Sequence, residues 1–82
     1  MQLTEIQSKI KGIIAGMFDL QPEEVSGTKA FTEMAKYDSM RALEFLSKLE
    51  NEFNLTIDPD QLVNMSTVDS SAKMIEEQLR AK

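Results

Sequence analysis

Apolar residues recur along this chain with the period of an α-helix and nowhere with the alternation of a half-buried strand. Leu3, Ile6, Ile10, Ile13, Ile14 and Met17 make one stripe at i, i+3, i+4, i+7 spacing, with Lys9 and Lys11 off it. Thr4 followed three residues later by Gln7 has the pattern of a capping box. From Ser39 to Phe53 the period returns in Met40, Leu43, Leu46, Leu49 or Glu50, and Phe53, a stripe that gives Met40 and Leu43 to the core side. Ala42 and Phe45 widen it, which predicts that this second helix lies at the centre of the bundle. In "NLTIDPDQLVNM" Asp58 reads as a cap, Pro59 as a first helical residue and Gln61 as its reach-back partner, with Leu62 and Met65 buried. Thr67 caps a last helix that buries Val68, Ala72, Ile75 and Leu79 and leaves Asp69, Lys73, Glu76 and Glu77 outside.

Residues 19–38 interrupt the period with Pro22, Gly27 and scattered polar side chains. A structureless loop of that length is uncommon in a compact domain, so a short turn started by Pro22 is predicted, with Phe31 and Met34 tacking the segment to the core. The expectation is an all-α fold: a small four-helix bundle with a long first loop and a short third helix, forming one domain over residues 1–82.

Size and composition then exclude whole classes of function. A chain of 82 residues buries only about 60–65% of its unfolded surface, which leaves little room for a deep enclosed site. It has no cysteine, hence no disulfide or thiolate metal site, and no histidine, the commonest general base and metal ligand. Nothing resembles a signal peptide, and no apolar run approaches the roughly 20 residues that span a bilayer, so the chain reads as cytoplasmic and off the membrane. Nine basic against fourteen acidic residues leave a net charge of −5, with residues 19–35 at −3 and residues 58–77 at −4. That acidity disfavours nucleic acid and would attract a basic patch on another protein. It also favours solubility, and the chain reads as a monomer.

No catalytic or metal-binding set emerges. A nucleophilic serine needs a base within hydrogen-bond reach, and Asp38 beside Ser39 is too weak a base for a hydroxyl. "DPDQLVNMSTVD" has the length of a calcium-binding loop, but Leu62, Val63 and Asp69 occupy positions that require an oxygen ligand, glycine and glutamate. Gly12, Gly16 and Gly27 form no phosphate-cradling cluster. What remains is a serine in "YDSMRALEFL", where the long loop meets the second helix. Taken alone, Ser39 reads as the cap of that helix.

The surrounding register points elsewhere. Phe31, Asp38, Ser39, Met40, Glu44, Glu52, Phe53, Ile57, Thr67 and Val68 are matched to the pattern F-x6-D-S-L followed by a helix ending E-x-x-F, then I-x-x-x and a T-V helix. In this register, over residues 30–75, the chain resembles the acyl carrier protein family. The resemblance implies a carrier rather than an enzyme. It places a 4′-phosphopantetheine arm on Ser39, delivered from coenzyme A by a phosphopantetheinyl transferase that recognises the flanking Asp38. It implies acyl-loading, acyl-transferring and condensing enzymes as partners, meeting Met40, Arg41 and Glu44 on the second helix. It makes Leu46, Ile57, Leu62 and Met65 candidates to line a space for the acyl chain. Leu62 stands where fatty-acid carriers often have a smaller residue, which predicts short or polar cargo held mostly outside the core. "MAKY" at 34–37 replaces the Asp-Leu-Gly-Ala frequent in fatty-acid carriers, and Arg41 stands where many carriers are acidic. The triplet and its helix are at least as close to polyketide-type carriers, and the Gly-Gly-His of peptidyl carriers is missing. The other reading of the same residues is an unmodified acidic helical adaptor that binds a protein partner.

Overall fold

The computed structural model describes residues 2–28, 30–33 and 37–81, and for residues 32 and 62–64 the backbone alone. Among the described residues three α-helices carry the fold: α1 (Leu3–Phe18), α2 (Ser39–Phe53) and α3 (Val68–Ala81). The described residues of the connections include short 3-10 helices at Pro22–Glu24, Phe31–Glu33 and Pro59–Asn64. The four-helix expectation is corrected here, because the segment expected as the third helix is wound as 3-10. Asp58 starts it by accepting from the Asp60 N–H on its side chain (3.1 Å) and from the Gln61 N–H on its carbonyl (2.9 Å). Gln61 does not reach back; its side-chain oxygen accepts from Gln78 of α3 at 2.8 Å and ties the turn to that helix.

α1 packs on both α2 and α3, whereas α2 and α3 meet chiefly through α1 and the Pro59–Asn64 turn. The central element is therefore α1, not α2 as the width of the α2 stripe predicts. α1 buries Ile6, Ile10, Ile14, Ala15 and Phe18, with Leu3, Ile13 and Met17 at the margin. It begins at Leu3, so Thr4 is inside the helix rather than its cap, and the Gln7 side chain reaches Asp69 of α3 instead (3.2 Å). α3 buries Val68, Ala72 and Ile75 as the periodicity predicts, with Leu79 half-buried. Its first turn is a reciprocal box: Thr67 Oγ1 accepts from the Ser70 N–H (3.0 Å) while Ser70 Oγ accepts from the Thr67 N–H (3.1 Å).

The largest departure lies in α2. Its buried side chains are Phe45, Leu46, Leu49 and Phe53, and the expectation that Met40 and Leu43 face the core is corrected: they are 79% and 55% exposed. At about 100° per residue, Leu43 falls ~60° and Met40 ~120° beyond Leu46, away from Phe45 and Leu49. A stripe centred on the two phenylalanines therefore carries Met40 and Leu43 onto the surface.

The described residues of the long first connection make contacts of their own. Pro22 starts a 3-10 turn closed by a capping box between Gln21 and Glu24. Val25 and Phe31 are buried in the core, and the Phe31 N–H donates to the Ser66 carbonyl (2.8 Å), so this segment lies against the entry to α3. Met34 lies outside the described residues. No described helix is long and apolar enough to cross a membrane.

Candidate functional site

The start of α2 is held from behind by aromatic contacts. Phe31 packs edge-on against the buried Phe45 ring (5.0 Å between centroids), Tyr37 stacks on Phe31 (5.9 Å), and Phe18 closes the group from α1 (6.4 Å to Tyr37). Tyr37 is half-buried, and loss of hydration raises its phenol above the ordinary value of 10.0. This cluster anchors the chain two residues before Ser39. Asp38 then takes the cap: its backbone is extended, its Oδ1 accepts from the Arg41 N–H (2.9 Å) and its carbonyl from the Ala42 N–H (2.9 Å). Capping by Ser39 is thus corrected to capping by Asp38.

With the cap supplied by its neighbour, Ser39 is the first residue of α2, exposed, and its hydroxyl has no hydrogen-bond partner among the described residues. The N–H groups of Ser39 and Met40 are likewise unpartnered among those residues. Orphan donors at the positive end of a helix dipole suit an anion, and the phosphodiester at the base of a phosphopantetheine arm is one. The residues present therefore fit that group.

Around the serine, Asp38, Met40, Arg41, Leu43, Glu44 and Ser47 line an open surface concavity. Arg41 and Glu44 pair across it at 3.1 Å, each about 40% exposed, as a one-turn pair on the rim. Exposed apolar side chains beside charge mark a contact surface more often than scattered single ones do. Leu43 belongs to this surface, and reading the helix face from Phe45, Leu49 and Phe53 would have found it. Of the acyl-space candidates, Leu46, Ile57 and Met65 are brought together in one buried cluster, while the Leu62 side chain lies outside the described residues. Ile57 is fixed there by its N–H donating to Glu50 of α2 at 2.8 Å.

Residues 8–75 match the family model described as a phosphopantetheine attachment site. The chain is 30% identical to the acyl carrier protein of Thermosynechococcus vestitus, over 99% of its own length and 100% of that protein. It is 28% identical to that of Petrotoga mobilis, over 96% and 93% of the two chains. Its fold superposes on the Enterococcus faecalis acyl carrier protein with a TM-score of 0.74 at 27% identity, covering 92% of this chain and 95% of that one. It also superposes on a free-standing peptidyl carrier protein of Acinetobacter baumannii with a TM-score of 0.84, covering 95% and 96%; at 23% identity that likeness concerns the fold alone. A helical fold with an exposed serine and orphan donors at one helix start, matched along nearly its whole length by such relatives, is that of a phosphopantetheine-bearing carrier: the chain belongs to the acyl carrier protein family.

Proposed function

We propose that Ser39 is the attachment point of the arm, and that residues 1–82 act as one monomeric, cytoplasmic carrier domain with no catalysis of its own. The observation that carries this is the division of labour at the start of α2: Asp38 supplies the cap, and the Ser39 hydroxyl is left exposed and uncommitted. Attachment joins Ser39 Oγ to the phosphorus of the pantetheine-side phosphate of coenzyme A. Adenosine 3′,5′-bisphosphate leaves and the hydroxyl proton passes to the transferase. The arm supplies a thiol, through which a chain without cysteine holds acyl groups as thioesters.

Asp38 flanks the site for the transferase, and Met40, Leu43, Arg41 and Glu44 form the surface met by loading, transferring and condensing enzymes. The pathways open to it are fatty-acid, polyketide or related specialised biosynthesis. The test is incubation with coenzyme A and a broad-range phosphopantetheinyl transferase, read by intact mass. The parent should gain one arm and Ser39→Ala none. A gain by Ser39→Ala would move the attachment to another serine, and no gain by the parent, beside a control carrier that loads, would return the adaptor reading.

A further inference from the structure

Ser71 is the only polar side chain fully buried among the described residues, and its Oγ has no hydrogen-bond partner there. A buried helical serine ordinarily donates to the carbonyl four residues back. Here that acceptor is Thr67 O, and it is already used twice, by the Ser71 N–H (3.0 Å) and by Ser70 Oγ (3.2 Å). A carbonyl has two lone pairs, so none remains for Ser71. The helix itself thus strands the hydroxyl on the face of α3 that holds Val68, Ala72 and Ile75.

A trapped water needs two to four polar partners, and the buried side chains around this face are otherwise apolar. A guest with an apolar body and a single oxygen would satisfy the hydroxyl with one bond. The first turns of α3 also lie at the end of the molecule where an arm would start. Ser66 O holds Phe31, Phe31 stacks on Tyr37, and Tyr37 stands two residues before Ser39. Resting on the attachment proposed above, we infer that Ser71 is a specificity-determining residue: its hydroxyl donates to an oxygen on a short acyl chain, favouring keto- or hydroxy-substituted cargo over saturated cargo. This replaces the expectation, drawn from Leu62, that polar cargo stays outside the core.

The test compares the parent and Ser71→Ala by thermal unfolding, unloaded and loaded with butyryl or 3-oxobutyryl thioesters, which share a carbon count and differ by one oxygen. Removing an orphan hydroxyl should raise the midpoint of the unloaded chain by about 4 °C or more. In the parent, the 3-oxobutyryl form should melt above the butyryl form; in Ser71→Ala that order should vanish or reverse. An unloaded Ser71→Ala that melts no higher than the parent would show that the hydroxyl has a partner and overturn the inference. So would a cargo preference unchanged by the substitution. Failure of the parent to load appears in the intact mass before any melting curve is read, and it sinks the attachment at Ser39 rather than the comparison of the unloaded chains.

Discussion

At the scale of single residues, Asp38 takes the cap that the sequence assigns to Ser39, which on the proposed reading leaves Ser39 to carry the arm. Asp38→Ala removes the acceptor for the Arg41 N–H and should cost about 0.5–2 kcal/mol in chemical denaturation. Ser39→Ala removes an exposed hydroxyl without a partner among the described residues and should stay within about 0.5 kcal/mol of the parent. Equal losses would mean that Ser39 shares the cap. The register singles out Ser39 in the sequence, but the freedom of its hydroxyl is not legible there. Asp and Ser are both good caps, and only the geometry shows which of two neighbours has extended backbone and an oxygen aimed at the third N–H.

Among the elements, α1 carries an unexpected feature in two glycines. Gly12 and Gly16 are exposed, sit in helical backbone, and have open space where a Cβ would stand. Either residue replaced by alanine should stabilise the fold by about 0.5–1 kcal/mol through helix propensity. Gly27 is the opposite case. Its Cβ would come within 2.7 Å of the Asp69 Oδ1 that accepts from Gln7, so Gly27→Ala should cost about 1 kcal/mol as that contact is displaced. Denaturant midpoints of the three variants check both signs. The helical periods of α1 and α3 were readable because each buries one clean face. The third element was not, since Asp58 and Pro59 start a 3-10 turn as readily as an α-helix, and the tie from Gln78 to Gln61 that holds it comes from a distant segment.

For the molecule as a whole, charge directs encounters with partners. Residues 38–53 carry a net charge of −2, yet the concavity beside Ser39 includes Arg41, tied to Glu44. An exposed pair of this kind contributes little to stability, and its effect falls on association rate and partner choice. Arg41→Glu should therefore leave the unfolding midpoint nearly unchanged. It should speed transfer by an enzyme of general fatty-acid synthesis and slow transfer by the enzyme of this protein's own pathway, more so at low salt. Rates unchanged for both enzymes would reduce Arg41 to a surface charge. The all-α class was legible in the sequence, but the facing of α2 was not, because a wide apolar stripe serves a core and a docking surface equally well. Met40 and Leu43 are the residues on which the two uses divide.

Attachment of the arm to Ser39 is read by mapping the loaded chain after cleavage at lysine and arginine. Cuts after Lys36 and Arg41 release residues 37–41, in which Ser39 is the only serine, while Ser26 and Ser47 fall in other fragments. The mass of the arm should sit on the 37–41 fragment alone. Its appearance on the fragment holding Ser26 or Ser47, with 37–41 unmodified, would contradict the account.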